Sequence, residues 1–177
     1  NYLGIDIVPE FIEFARKYIT DYNENFKFAL IGDSNALYQK YITSKKENST
    51  FARFQDLKFF PDFIFALSLF SHLNTEQAAH VLKNISFCMH DDSVLFLTAF
   101  IINIESKEAM KQDETFPFKQ KSTHFHESYL EDDYNGPQSA IGFERSTLEQ
   151  LLLKHDLVIS QQINGYWRGA RYASRKS

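Results

Sequence analysis

Residues 2–18, Tyr-Leu-Gly-Ile-Asp-Ile-Val-Pro-Glu-Phe-Ile-Glu-Phe-Ala-Arg-Lys-Tyr, run from a short apolar segment through a carboxylate straight into a helical pattern. Tyr2, Leu3, Ile5 and Ile7 form the mostly apolar run expected of a parallel strand covered on both faces. Pro9 stands where a first helical residue loses nothing by lacking an N–H. Phe11, Phe14, Ala15, Tyr18 and Ile19 then fall at i, i+3, i+4, i+7 and i+8, which predicts one apolar stripe facing a sheet. Asp6 is left at the carboxyl end of the strand. Open α/β sheets bind ligands at that end, and a carboxylate there can accept paired hydrogen bonds from ribose hydroxyls. The plainer role for the same residue is a surface Asp in a strand-to-helix turn.

A core of this kind needs apolar material, and 44% of the 177 residues are hydrophobic, 18 of them Phe, enough for one domain. The net charge of −4, with Lys and Arg scattered, carries no electrostatic footprint for nucleic acid or an anionic membrane and favours a small neutral or polar substrate. Cys88 is the single cysteine, which excludes an internal disulfide framework and suits a reducing, cytoplasmic setting. No apolar run reaches the roughly 18 residues of a membrane span, and no signal peptide is expected. The oligomeric state stays open, a homo-oligomer included.

The strand-to-helix design repeats along the chain. The stretch from Phe26 reads as another apolar strand that ends in Gly32-Asp33, ahead of a helical stretch from Ala36 to about Ile42. Gly32 would let the backbone approach a flat ligand, and Asp33 could accept from an exocyclic amine such as that of adenine. Asp33, Ser34 and Asn35 serve equally well as helix caps. Thr43 to about Lys58 reads as a surface loop. Asp62–Leu73 is too apolar for a one-sided strand and predicts a central parallel one, with Ser68, Ser71 and His72 at its polar end. Asn74 and Gln77 make a capping box before a helix with Ala78, Val81, Leu82, Ile85 and Met89 inward. After a turn at Asp91–Asp92, Ser93–Ile102 reads as one further buried strand. This alternation predicts an α/β fold with a doubly wound, mostly parallel sheet.

From Asn103 to Gly142 the periodicity stops, and the aromatic content of so long a segment predicts a lid. Ser146–Glu149 reads as a capping box opening a helix with Leu148, Leu151 and Leu152 inward. Leu157–Ile163 and Tyr166–Ala173, joined at Asn164-Gly165, predict a C-terminal antiparallel hairpin.

Four features taken in order make the chain resemble the class I methyltransferases that use S-adenosylmethionine. They are Gly4-Ile-Asp6 before an Ala-Arg-containing helix; Gly32-Asp33; Asp62-Phe-Ile-Phe-Ala66 running into Ser68-Leu-Phe-Ser-His-Leu73; and a last helix, Thr147 to His155, before a terminal hairpin. The resemblance covers essentially the whole chain as one Rossmann-like domain. It implies the cofactor ribose on Asp6, adenine near Ile7, Asp33 and Ser34 beside Gly32, and the methionine moiety near Leu67 and Ser68. The family's glycine-rich first motif has no counterpart, because the six glycines stand at 4, 32, 136, 142, 165 and 169. The expectation that follows is an N-terminally truncated domain. Alone it would be poorly soluble or loosely folded, and about 25 to 40 upstream residues carrying a strand, a Gly-rich turn and a helix would restore it.

Methyl transfer is an in-line displacement in which positioning does much of the work, and a base helps when the acceptor is a hydroxyl. His72 is the candidate base, with a helix-entry histidine as its plainer role. His124 and His126 on an extended segment, with Tyr129, Tyr134 and Trp167, are candidates for an acceptor pocket, although buried aromatics also serve simply as core. His124, His126 and Glu127 lack the spaced third ligand of a metal site, so no metal is expected. The expected function is methyl transfer to a small-molecule or glycan acceptor. The alternative is a catalytically silent methyltransferase-like binding or scaffold domain. A nucleotide-binding oxidoreductase ranks below both, since no G-x-G-x-x-G occurs.

Overall fold

The structure, a computed structural model, describes residues 1–31, 54, 57–112, 118–121, 128–131, 140–163 and 165, with backbone alone at 109, 110, 112, 118–121 and 128–131. It is a mixed α/β fold of two compact units, Asn1–Phe59 and Phe60–Ser177.

In the first unit β1 (Tyr2–Asp6), α1 (Pro9–Ala15) and β2 (Phe26–Leu30) follow one another, α1 running on through a π-helical turn, Arg16–Thr20. The two strands pair in parallel from Tyr2↔Phe26 to Asp6↔Leu30. Tyr2, Phe26 and Phe28 pack their rings along the sheet, with centroids 5.3 and 5.9 Å from that of Tyr2. Gly4 lies under this cluster: a Cβ there would stand 2.5 Å from Phe28 Cδ1. Gly4→Ala is therefore expected to destabilise the chain by about 1–3 kcal/mol, the usual effect of overpacking. A urea midpoint unchanged from wild type would show that the ring has room to move.

The helix does not face the sheet with the stripe that the sequence suggests. Phe11 and Phe14 are 62% and 61% exposed and Tyr18 is exposed with them, whereas Pro9 and Ile12 are buried. Two side chains of the same helical run make three hydrogen bonds to the backbone of β2. Arg16 donates from Nε and Nη2 to the Phe28 carbonyl at 3.0 and 2.8 Å, and the Thr20 hydroxyl donates to the Phe26 carbonyl at 2.9 Å. Because Tyr2 N–H donates to the Asn25 carbonyl, strand alternation turns the carbonyls of Phe26 and Phe28 away from β1. Arg16 and Thr20 thus cover a strand edge that would otherwise present acceptors.

The second unit contains β3 (Phe63–Ala66), a 3-10 turn (Phe70–His72), α2 (Thr75–Cys88), β4 (Val94–Leu97), β5 (Phe100–Ile102), α3 (Ile104–Gln112), β6 (Phe118–Lys121), β7 (Ser128–Glu131), β8 (Ile141–Glu144) and α4 (Arg145–Leu153). β3 and β4 pair in parallel, Phe63↔Val94 to Ala66↔Leu97. A second, mixed sheet has the order β5-β8-β7-β6, with β5 parallel to β8 and the other pairs antiparallel. Its core is Phe70, Leu73, Ala78, Leu82, Ile85, Ile102, Ile141, Phe143, Leu148 and Leu152, all buried. α2 packs on α4, and β8 on the 3-10 turn.

The capping box before α2 is present as expected: Gln77 N–H donates to Asn74 Oδ1 and Asn74 N–H to Gln77 Oε1, each at 2.9 Å. Five other expectations are corrected. The strand expected over Asp62–Leu73 ends at Ala66, because Ser68 adopts a φ of 55° and turns the chain into the 3-10 turn. β3 is also not covered on both faces, since Phe63 and Phe65 are exposed beside Val94 and Phe96 of β4. The strand over Ser93–Ile102 is two strands in different sheets, broken at Thr98–Ala99, where Thr98 N–H still donates to the Ala66 carbonyl. No capping box forms at Ser146, because β8 runs directly into α4 and makes Glu144 the cap; Arg145 Nε instead meets Glu149 Oε1 at 2.7 Å. Leu157–Ile163 forms no strand, leaving Val158 and Ile163 exposed, and residues 166–173 of the expected hairpin lie outside the described residues. Within Asn103–Gly142, where the sequence shows no period, the structure builds α3, β6, β7 and the start of β8.

Candidate functional site

Three groups of side chains gather at carboxyl ends of parallel strands, and each belongs to a single unit. The first is Asp6. β1 ends on it, and Val8 N–H donates to its Oδ1 at 2.8 Å across the turn into α1. No donor reaches Oδ2 among the described residues, and the side chain is half-buried. Ile31 N–H donates to the Asp6 carbonyl at 2.9 Å, so the chain leaves β2 beside Asp6. Ile7, half-buried, follows in the turn. Gly32, Asp33 and Ser34 come next after Ile31 but lie outside the described residues.

The second group stands beyond β3 and β4. Leu67, Ser68 and His72 are exposed there and Ser71 is buried. Ser68 N–H donates to Thr98 Oγ1 at 2.8 Å, and Ser71 Oγ donates to the Ser68 carbonyl at 2.9 Å. His72 closes the 3-10 turn, its N–H donating to the Leu69 carbonyl. Thr98 was not singled out from the sequence. The available signal was its place as the first polar residue after the apolar run Val94–Leu97.

The third is an open cavity of about 510 Å³ where β5 and β8 end and α3 and α4 begin. Ile102, Asn103, Glu105, Lys107, Glu144, Arg145 and Glu149 are among its lining residues. Four of its five charges form ion pairs within the chain, Lys107 Nζ lying 3.0 Å from Glu144 Oε1 and Arg145 pairing with Glu149, while Glu105 Oε2 accepts from Asn103 Nδ2 at 3.5 Å. Asn103 Oδ1 accepts from both the N–H and the hydroxyl of the fully buried Ser106. Sequence reasoning missed this cavity because its residues come from segments far apart in the chain, Lys107 and Glu144 being separated by 37 positions, and carry no shared motif.

Of the remaining sequence candidates, Tyr129 is in β7, where backbone alone is described, and His124, His126, Tyr134 and Trp167 lie outside the described residues. Cys88 is buried, which pushes its thiol above the ordinary range and makes it a poor nucleophile. Among the described residues no cluster of His, Cys, Asp and Glu could hold a metal, and no helix is long and apolar enough to cross a membrane. No protein-family model matches the chain.

Proposed function

We propose that the chain is an S-adenosylmethionine-dependent methyltransferase of the doubly wound, Rossmann-like class, acting on a small-molecule or glycan acceptor. The observation that carries the reading is Asp6, a carboxylate at the end of a parallel strand in a strand-helix-strand unit. One of its oxygens is fixed by Val8 N–H and the other meets no donor among the described residues. Such a group suits the paired hydroxyls of a ribose, to which a charged acceptor makes its stronger hydrogen bonds.

The cofactor would supply an activated methyl group on a sulfonium; the chain's own part is to bind, orient and exclude water. In this reading Asp6 holds the ribose, and Ile7 contacts the adenine together with Gly32, Asp33 and Ser34. Leu67 and Ser68 border the methionine moiety. His72, exposed beyond β3, takes the proton of a hydroxyl acceptor. His124, His126, Tyr129, Tyr134 and Trp167 are assigned to the acceptor.

Calorimetric titration with S-adenosylmethionine tests the proposal. Saturable one-to-one binding is expected from the chain. Its absence would end the cofactor reading. Binding without methyl transfer to any of a panel of small hydroxyl and amine acceptors would favour a silent binding domain instead.

A further inference from the structure

Ser68 holds a left-handed backbone, with a φ of 55°, that is unfavourable for a residue with a side chain. Two side chains grip it. Thr98 Oγ1 accepts its N–H at 2.8 Å and Ser71 Oγ donates to its carbonyl at 2.9 Å. Thr98 is itself anchored, its own N–H donating to the Ala66 carbonyl at the last rung between β3 and β4. A strained residue persists only where its surroundings over-determine it, and such residues collect at ligand sites. Here the result is that Leu67 and Ser68 stand exposed at the carboxyl end of β3.

We infer that Thr98 is a positioning residue: its hydroxyl holds Ser68 in the left-handed conformation that presents the Leu67–Ser68 turn to the ligand. The identity of that ligand rests on the proposed S-adenosylmethionine reading; the clamp does not. Thr98→Val keeps the shape of the side chain and removes the acceptor, whereas Thr98→Ser keeps the acceptor.

Three measurements on wild type and both variants test this: S-adenosylmethionine affinity, thermal midpoint and the hydrogen-exchange rate of the Ser68 amide. Thr98→Val is expected to weaken binding and speed exchange by about tenfold each, the effect of one lost hydrogen bond at the upper end of its usual range. Its midpoint should stay close to wild type, and Thr98→Ser should restore both quantities. Wild-type affinity in Thr98→Val overturns the inference. So does an equal loss in Thr98→Ser accompanied by a fall in midpoint, which would mean a purely structural role. If the wild type binds no S-adenosylmethionine, the cofactor reading fails, and the amide decides the clamp by itself: faster exchange in Thr98→Val alone upholds it, and an unchanged rate overturns it.

Discussion

Phe143→Ala should destabilise the chain by about 3–5 kcal/mol, the range for removing a buried aromatic ring. Phe143 is fully buried in β8, a strand with neighbours on both sides, where it pairs with Ile101 of β5 and Ser128 of β7. Phe70 and Ile141 are fully buried in the same unit, and the 3-10 turn that carries Phe70 packs on β8. Because residues on this strand are hemmed in by the sheet, the cavity left by the ring would collapse only in part, so lost transfer energy and lost contacts add. Phe143→Leu keeps most of the volume and should lose less than about 1.5 kcal/mol. Urea unfolding followed by circular dichroism separates the two variants. A loss under about 1 kcal/mol in Phe143→Ala would show that the ring does not fill the core of this unit.

The largest expected effect on binding is at Asp6. Removing a charged acceptor from ligand hydroxyls should weaken S-adenosylmethionine binding by about 1.5–3 kcal/mol, or roughly 10- to 150-fold. Asp6→Ala also removes the acceptor for Val8 N–H, so part of any change in that variant concerns the turn into α1. Asp6→Asn separates the effects. It keeps an oxygen for Val8 while removing the charge, and should lower affinity with little change in thermal midpoint. Unchanged affinity in both variants would sink the assignment of Asp6, while a drop in midpoint that tracks the loss of binding would make it a turn residue.

What could be read from the sequence follows a physical division. Local chemistry is legible because its partners lie within a few residues. Asn74 and Gln77 satisfy each other's backbone, Pro9 opens a helix, and Asp6 ends a strand, each as the residue types and spacing dictate. The mixed α/β class is legible for the same reason, since the alternation of period 2 and period 3.6 is a local property. The buried faces of α2 and α4 were legible too, since Ala78, Leu82, Ile85, Leu148 and Leu152 are buried as their spacing predicts, but tertiary structure alone decided which face of α1 is buried. Phe11, Phe14 and Tyr18 form the more hydrophobic side of the first helical run, yet that side is exposed, while Arg16 and Thr20 of the same run bond two carbonyls at the edge of β2. It also decided where strands stop. Val94–Leu97 and Phe100–Ile102 look continuous in sequence, but Thr98 spends its hydroxyl on Ser68, thirty residues away, and the next strand joins another sheet. An apolar pattern records that a residue can be buried; which partner buries it, and which polar group must be satisfied first, is set only when distant segments meet.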